Sequence, residues 1–63
     1  MTLADLRVET TILIKAHPLH TATLIDFYQL AADEVSDGGS ETHECELAYN
    51  DMLEVVNNKT IEL

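Results

Sequence analysis

The sequence predicts an all-α protein, and three observations lead to that prediction. Thr2 and Asp5 have the spacing of a capping box variant, which begins a helix. Apolar residues recur with a helical period on both sides of the segment Asp37-Gly38-Gly39-Ser40, which combines residues that end one helix with a residue that begins the next. We therefore expect an N-terminal helix over about residues 3–16, followed by an antiparallel hairpin of helices over about 18–36 and 41–57.

The segment over residues 6–16 also fits a strand, because four β-branched residues alternate there with other side chains: Val8, Thr10, Ile12 and Ile14. In that alternative the chain has the plan of a ribbon-helix-helix protein, with residues 6–16 as an intersubunit strand ahead of two helices. As a helix, the same segment carries apolar residues nearly all round. Either form requires a covering surface, since one hairpin cannot enclose it.

The second and third helices have clear boundaries and faces. The His17-Pro18 pair predicts a break at His17 and a new helix from about Pro18, because proline disfavours helical geometry in the residue before it and suits a first helical turn. One apolar face on each helix predicts packing between them. Leu30 and Leu47 fall on the polar sides of these helices.

The small size of the chain predicts self-association. The 63 residues are expected to form a single domain, 1–63, whose last residues, 58–63, fray. A core of this size supplies only about 3–5 kcal/mol, and a single cysteine excludes an intrachain disulfide. A homodimer is the expected supplement. The candidate interface residues are Leu6, Val8, Ile12, Leu13, Ile14, Leu30 and Leu47.

The charge predicts a protein partner and disfavours direct binding to nucleic acid. The formal net charge is −9, from 12 acidic against 3 basic side chains, whereas affinity for nucleic acid comes mostly from Lys and Arg that contact phosphates. Such acidity is typical of a solvated, soluble surface, and its more specific interpretation is docking onto a basic partner or DNA mimicry. No apolar run approaches the roughly 18 residues of a membrane span, and no secretion signal is visible. The expected location is the cytoplasm, with no membrane partner.

No cofactor or metal is expected. His17, His20, His43 and Cys45 are side chains of the types that bind zinc, but their spacing matches no zinc finger. Residues 43 and 45 would also point about 200° apart on one helix. The carboxylates fall mostly on predicted solvent faces beside no nucleophile, which predicts a protein without catalytic residues.

The chain also resembles a known family along its whole length. It runs from Met-Thr-Leu-Ala-Asp-Leu-Arg through Ile-Asp-Phe-Tyr-Gln-Leu and the Asp37–Ser40 turn to Asn-Lys-Thr-Ile-Glu-Leu, and is similar to the small 63-residue protein encoded in the exo-xis region of lambdoid bacteriophages. No catalytic or ligand motif carries this resemblance. It implies an early phage protein, made in the cytoplasm of the bacterial host, that influences the choice between lysis and lysogeny or host physiology.

The leading function prediction is therefore a non-enzymatic regulatory protein that acts through protein–protein interaction. In this prediction a homodimer presents acidic helical faces to a host or phage protein that the sequence does not identify. The alternatives are a DNA-binding transcriptional regulator of ribbon-helix-helix type and an acidic DNA mimic.

Overall fold

The computed structural model describes residues 1–57, which form three α-helices and one short 3₁₀ turn. Helix α1 spans Leu3–Ala16, α2 spans Thr21–Ser36 and α3 spans Glu41–Asn57, while the 3₁₀ turn covers Pro18–His20. The prediction of an all-α fold is confirmed for this part of the chain. The tail predicted over 58–63 lies outside the described residues.

Helix α1 begins at the predicted capping box. The Asp5 N–H donates to Thr2 Oγ1 and the Thr2 N–H donates to Asp5 Oδ2, each at 3.1 Å. The alternative of a strand over residues 6–16 is wrong, because this segment continues as a helix to Ala16. A helix satisfies its backbone hydrogen bonds internally, so α1 needs no partner strand, and the chain's own core covers one side of it.

The break before α2 lies where the His17-Pro18 pair predicts it. His17 leaves helical geometry with φ −135° and ψ 66°. The three residues from Pro18 form a 3₁₀ turn, and the Thr21 hydroxyl donates to the Pro18 carbonyl at 2.6 Å. As a result α2 starts at Thr21, three residues later than the predicted start at Pro18.

A glycine turn ends α2 and leads into α3. Gly38 adopts a φ of +103°, its N–H donates to the Val35 carbonyl at 3.1 Å, and the Gly39 N–H donates to the Glu34 carbonyl at 2.8 Å. This pair of bonds is a Schellman motif, which satisfies carbonyls at the end of a helix. The Ser40 hydroxyl then accepts the His43 N–H at 3.3 Å, so the residue predicted to cap α3 does so.

All three helices contribute to one core. α2 packs most extensively against α3. Two hydrogen bonds also join α1 to α3: Leu3 N–H donates to Glu41 Oε2 at 2.7 Å, and Thr10 Oγ1 donates to Met52 Sδ at 3.5 Å. Because residue numbers increase together in these contacts, α1 and α3 run in the same direction. The buried apolar residues are Leu6, Leu24, Ala31, Cys45, Ala48 and Met52.

Candidate functional site

Several large apolar side chains of the described residues remain exposed. Leu30 is 60% exposed and Leu47 is 48% exposed, although each belongs to a helix that contributes to the core. Single exposed apolar residues are common on protein surfaces, but a concentration of them marks an interaction site. The full set is Val8, Ile12, Leu19, Ile25, Leu30 and Leu47.

Leu30 and Leu47 belong to the same surface feature, a groove between α2 and α3. We call it the α2–α3 groove. It has a volume of about 170 Å³. Apolar and acidic side chains line it: Phe27, Leu30, Ala31 and Glu34 from α2, and Glu44, Leu47, Ala48 and Asp51 from α3. The small, buried Ala31 and Ala48 keep the groove open between the larger side chains of the two helices.

The negative charge of the chain is concentrated on the helices that form this groove. Of the 12 acidic residues, Asp5 and Glu9 lie in α1 and Glu62 lies outside the described residues, so the other nine fall between Asp26 and Glu54. No Lys or Arg occurs over 21–57, whereas Arg7 and Lys15 balance the two acidic residues of α1. The segment that contains α2 and α3 is therefore strongly negative, whereas the charges of the Lys, Arg, Asp and Glu side chains of α1 balance.

A second exposed apolar pair lies on α1. Val8 and Ile12 are four residues apart, which places them next to each other on a helix, and they are 58% and 54% exposed. They point away from the side of α1 that carries the buried Leu6 and Thr10. We call this pair the α1 outer face. Its near-neutral surroundings distinguish it from the α2–α3 groove.

A groove of about 180 Å³ also lies between α1 and α2. Its charge differs from that of the α2–α3 groove, since Arg7 is its one charged lining residue among the described residues. The remaining lining residues are polar or apolar: Thr10, Thr11, Ile14, Ile25, Tyr28 and Gln29.

The structure separates the predicted interface residues into three groups. Val8, Ile12, Leu30 and Leu47 lie at the surface, as an interface requires. Leu13 and Ile14 are half-buried and pack against the core. Leu6 must be removed from the set, because it is fully buried in the core of the chain itself and presents no surface to a partner.

The sequence did not indicate two of the exposed apolar residues. Ile25 flanks the apolar face of α2 and is exposed because that face is wider than the surface that the other helices cover. Leu19 is 97% exposed within the 3₁₀ turn, where no apolar periodicity exists that could reveal its orientation.

The four residues with zinc-binding side chains are spread over the structure. The rings of His17 and His20 lie 6.5 Å apart between centroids, at the junction of α1 and α2. His43 is exposed at the start of α3, and Cys45 is fully buried. Within residues 1–57, no group of three or more His, Cys, Asp or Glu side chains is arranged to hold a metal ion.

Cys45 lies in the core as a free thiol. Burial raises the pKa of this thiol, because removal from water disfavours the thiolate, and the nearby carboxylate of Glu41 raises the pKa further. A thiol held in its protonated form is a poor nucleophile. Cys45 therefore acts as a packing residue in this structure.

None of the helices in residues 1–57 combines the length and the apolar character that crossing a membrane requires. No protein-family model matches the chain, and no curated protein or solved structure matches it. The surfaces described above are therefore the basis for inferring function.

Proposed function

We propose that this chain is a non-enzymatic regulatory protein that acts by binding another protein. The observation that supports this function best is the α2–α3 groove, where Leu30 and Leu47 stand exposed on either side of an apolar floor. Contact with a protein partner would remove these side chains from water, which stabilises a complex by about 25 cal/mol per Å² of apolar area.

The groove is poorly suited to catalysis. Its volume of about 170 Å³ is below the roughly 300–1,000 Å³ of typical small-molecule sites. Its polar groups are the carboxylates of Glu34, Glu44 and Asp51, and among residues 1–57 its lining includes no Ser, Cys, Lys or His that could act as a nucleophile or base beside them. These features support a binding role.

Self-association is part of the proposal, with the α1 outer face as the contact between two copies. Val8 and Ile12 form an apolar pair that a two-fold contact would bring against the same pair of the second chain. The neighbouring charges of α1 balance one another, so two copies can approach there without strong repulsion. In this arrangement the hairpin of α2 and α3 remains available on each copy.

The resemblance noted above supplies the proposed setting. The protein would be an early phage protein in the cytoplasm of the bacterial host, and its partner would be a host or phage protein through which it influences the lysis–lysogeny choice or host physiology. A ribbon-helix-helix regulator is not supported, because α1 occupies the segment that would have to form the DNA-contacting strand.

Affinity capture from bacterial lysate tests the proposed function. The wild-type chain is compared with a Leu30→Ala/Leu47→Ala variant, and with Leu19→Ala as the control that removes an exposed leucine outside both the groove and the α1 outer face. We expect the wild type and the control to capture the same specific proteins, and the groove variant to capture none of them. Capture of nothing above background by the wild type would contradict the function.

A further inference from the structure

We propose that the α2–α3 groove receives a cationic amphipathic helix of the partner protein. The apolar stripe of this helix would pack between Leu30 and Leu47, and its Lys or Arg side chains would pair with the acidic residues at the edges of the groove. This inference deepens the proposed function and rests on it, since it specifies the chemistry of the partner.

The shape of the groove fits a helix. Two packed helices form its walls, and amphipathic helices commonly bind by laying their apolar face into a groove of this kind. Ala31 and Ala48, which are 3% and 7% exposed, provide a low floor because their side chains are short. Phe27, Leu30 and Leu47 supply larger apolar contacts around that floor.

The charge of the groove identifies which kind of helix it would accept. Acidic side chains line both walls, with Glu34 on α2 and with Glu44 and Asp51 on α3. No Lys or Arg occurs over 21–57, so neither helix offers these carboxylates a Lys or Arg partner. A bound helix with basic residues on both sides of its apolar stripe would meet opposite charge on each wall.

A second copy of this chain is a poor occupant of the groove. A two-fold contact brings the same patch of both copies together, and here it would place the carboxylates of Glu34, Glu44 and Asp51 of one groove against the same three of the other. Like charges placed against one another disfavour association. Self-association through the near-neutral α1 outer face leaves the groove free for a basic partner.

Peptide binding to the full chain tests the inference. The probe is a fluorescent peptide of about 18 residues, long enough to form a helix in isolation, with Leu at i, i+3, i+4 and i+7 and Lys on both flanks. One reference peptide has the same composition in scrambled order, and another has Glu in place of every Lys. We expect the cationic amphipathic peptide to bind at least about tenfold more tightly than either reference, as measured by fluorescence anisotropy.

Variants of the chain assign this binding to the groove. Leu30→Ala/Leu47→Ala is expected to weaken binding of the cationic peptide about tenfold, and Glu34→Gln/Glu44→Gln to weaken it and reduce its dependence on salt. Leu19→Ala, which removes an exposed leucine outside both the groove and the α1 outer face, should leave the affinity unchanged. All substituted positions are solvent-accessible, and circular dichroism verifies that each variant retains the helical fold.

Two outcomes would overturn the inference. Equal binding of the scrambled peptide would show attraction by charge alone, which is the behaviour of an acidic DNA mimic, and unchanged affinity in the Leu30→Ala/Leu47→Ala variant would place the binding elsewhere. Failure of the inference remains distinguishable from failure of the proposed function. Lysate proteins lost from the groove variant, without binding of the cationic peptide, would support the function and reject this partner chemistry.

Discussion

The backbone N–H of Leu3 donates a hydrogen bond to Glu41 Oε2 at 2.7 Å, so a side chain in the first turn of α3 caps the first turn of α1. Helix N-termini carry free N–H groups and a partial positive charge. Since α1 and α3 begin at the same end of the molecule, one carboxylate interacts favourably with both helices. Glu41 is also expected to stabilise α3 from within that helix's own first turn.

Removing this carboxylate should destabilise the fold. We expect Glu41→Gln to lower the free energy of unfolding by about 1 kcal/mol, which corresponds to a melting temperature about 4–8 °C lower for a domain of this size. Glu46→Gln is the control, because Glu46 is exposed on the same helix and its substitution removes the same charge. Thermal denaturation followed by circular dichroism measures both. Equal melting temperatures for the two variants would contradict the capping role.

The handedness of the backbone at Gly38 gives a second prediction. A Cβ at Gly38 would meet nothing within 4 Å, so the cost of Gly38→Ala comes from the φ of +103°, which L residues rarely adopt. We expect a loss of about 1 kcal/mol in urea unfolding. D-Ala at the same position, introduced by chemical synthesis, should restore wild-type stability or exceed it, because a D residue favours positive φ. Equal destabilisation by both forms of alanine would rule out the backbone explanation.

Gly39 should resist substitution for a different reason. A Cβ there would lie 2.8 Å from the Glu34 carbonyl oxygen, which accepts the Gly39 N–H. We therefore expect Gly39→Ala to destabilise the chain by about 1 kcal/mol or more through displacement of the turn. D-Ala is not expected to restore stability at this position, because the backbone at Gly39 does not have the positive φ that favours a D residue. If the urea midpoint of the Gly39→Ala variant equals that of the wild type, the turn accommodates the Cβ without loss of stability.

Thr10 and Thr11 form a natural comparison of one hydrogen bond in two environments. The Thr10 hydroxyl donates to the Leu6 carbonyl at 2.7 Å inside the core, where it also lies 3.5 Å from Met52 Sδ, a weak acceptor. The Thr11 hydroxyl donates to the Arg7 carbonyl at 2.9 Å on the surface. Valine preserves the shape of threonine, and Leu6 keeps its helical N–H partner. We expect Thr10→Val to stabilise the chain by up to about 1 kcal/mol and Thr11→Val to change it by less than about 0.5 kcal/mol. A loss of stability in Thr10→Val, measured by urea unfolding, would show that the buried hydroxyl is required.

The raised pKa of Cys45 predicts a dependence of stability on pH. Below the ordinary thiol pKa the group is protonated in both states and its contribution to stability is fully present. As the pH rises past that value, the unfolded thiol ionises first, so the unfolded state gains stability relative to the folded state. The contribution is lost as the pH passes through the higher pKa of the folded state.

Comparison with Cys45→Ala isolates this effect from other groups that titrate at alkaline pH. We expect the free energy of unfolding to fall more steeply between neutral and alkaline pH in the wild type than in the variant, as measured by urea titration. Alkylation by iodoacetamide should also be slow in the folded wild type and rapid in urea. Identical pH profiles would mean that the buried thiol does not contribute.

Sedimentation equilibrium tests the proposed dimer. The wild type is expected to sediment above its monomer mass of 7.0 kDa at micromolar concentration, and Val8→Ala/Ile12→Ala is expected to shift towards the monomer. Alanine favours the helix at both positions, so any loss of association reflects the removed side chains and not the fold of α1. Leu19→Ala is the control, because Leu19 is the most exposed large apolar side chain of the described residues. A folded monomer in the wild type would contradict self-association.

The local features of this protein follow from neighbouring residues in its sequence. The Thr2–Asp5 capping box, the break at His17-Pro18 and the turn around Gly38 were all predictable, because each depends on residues close together in the chain. The apolar faces of α2 and α3 and the concentration of acid on them follow from sequence spacing in the same way.

The conformation of residues 6–16 and the side of α1 that is buried depend on packing between the helices. Its residues fit a strand or a helix, and as a helix they are apolar nearly all round, so periodicity alone could not show which side is covered. Packing against α2 and α3 buries Leu6 and leaves Val8 and Ile12 exposed. The bond from Leu3 to Glu41 and the joining of Leu30 with Leu47 in one groove also connect distant parts of the chain, and such relationships arise only when the helices pack together.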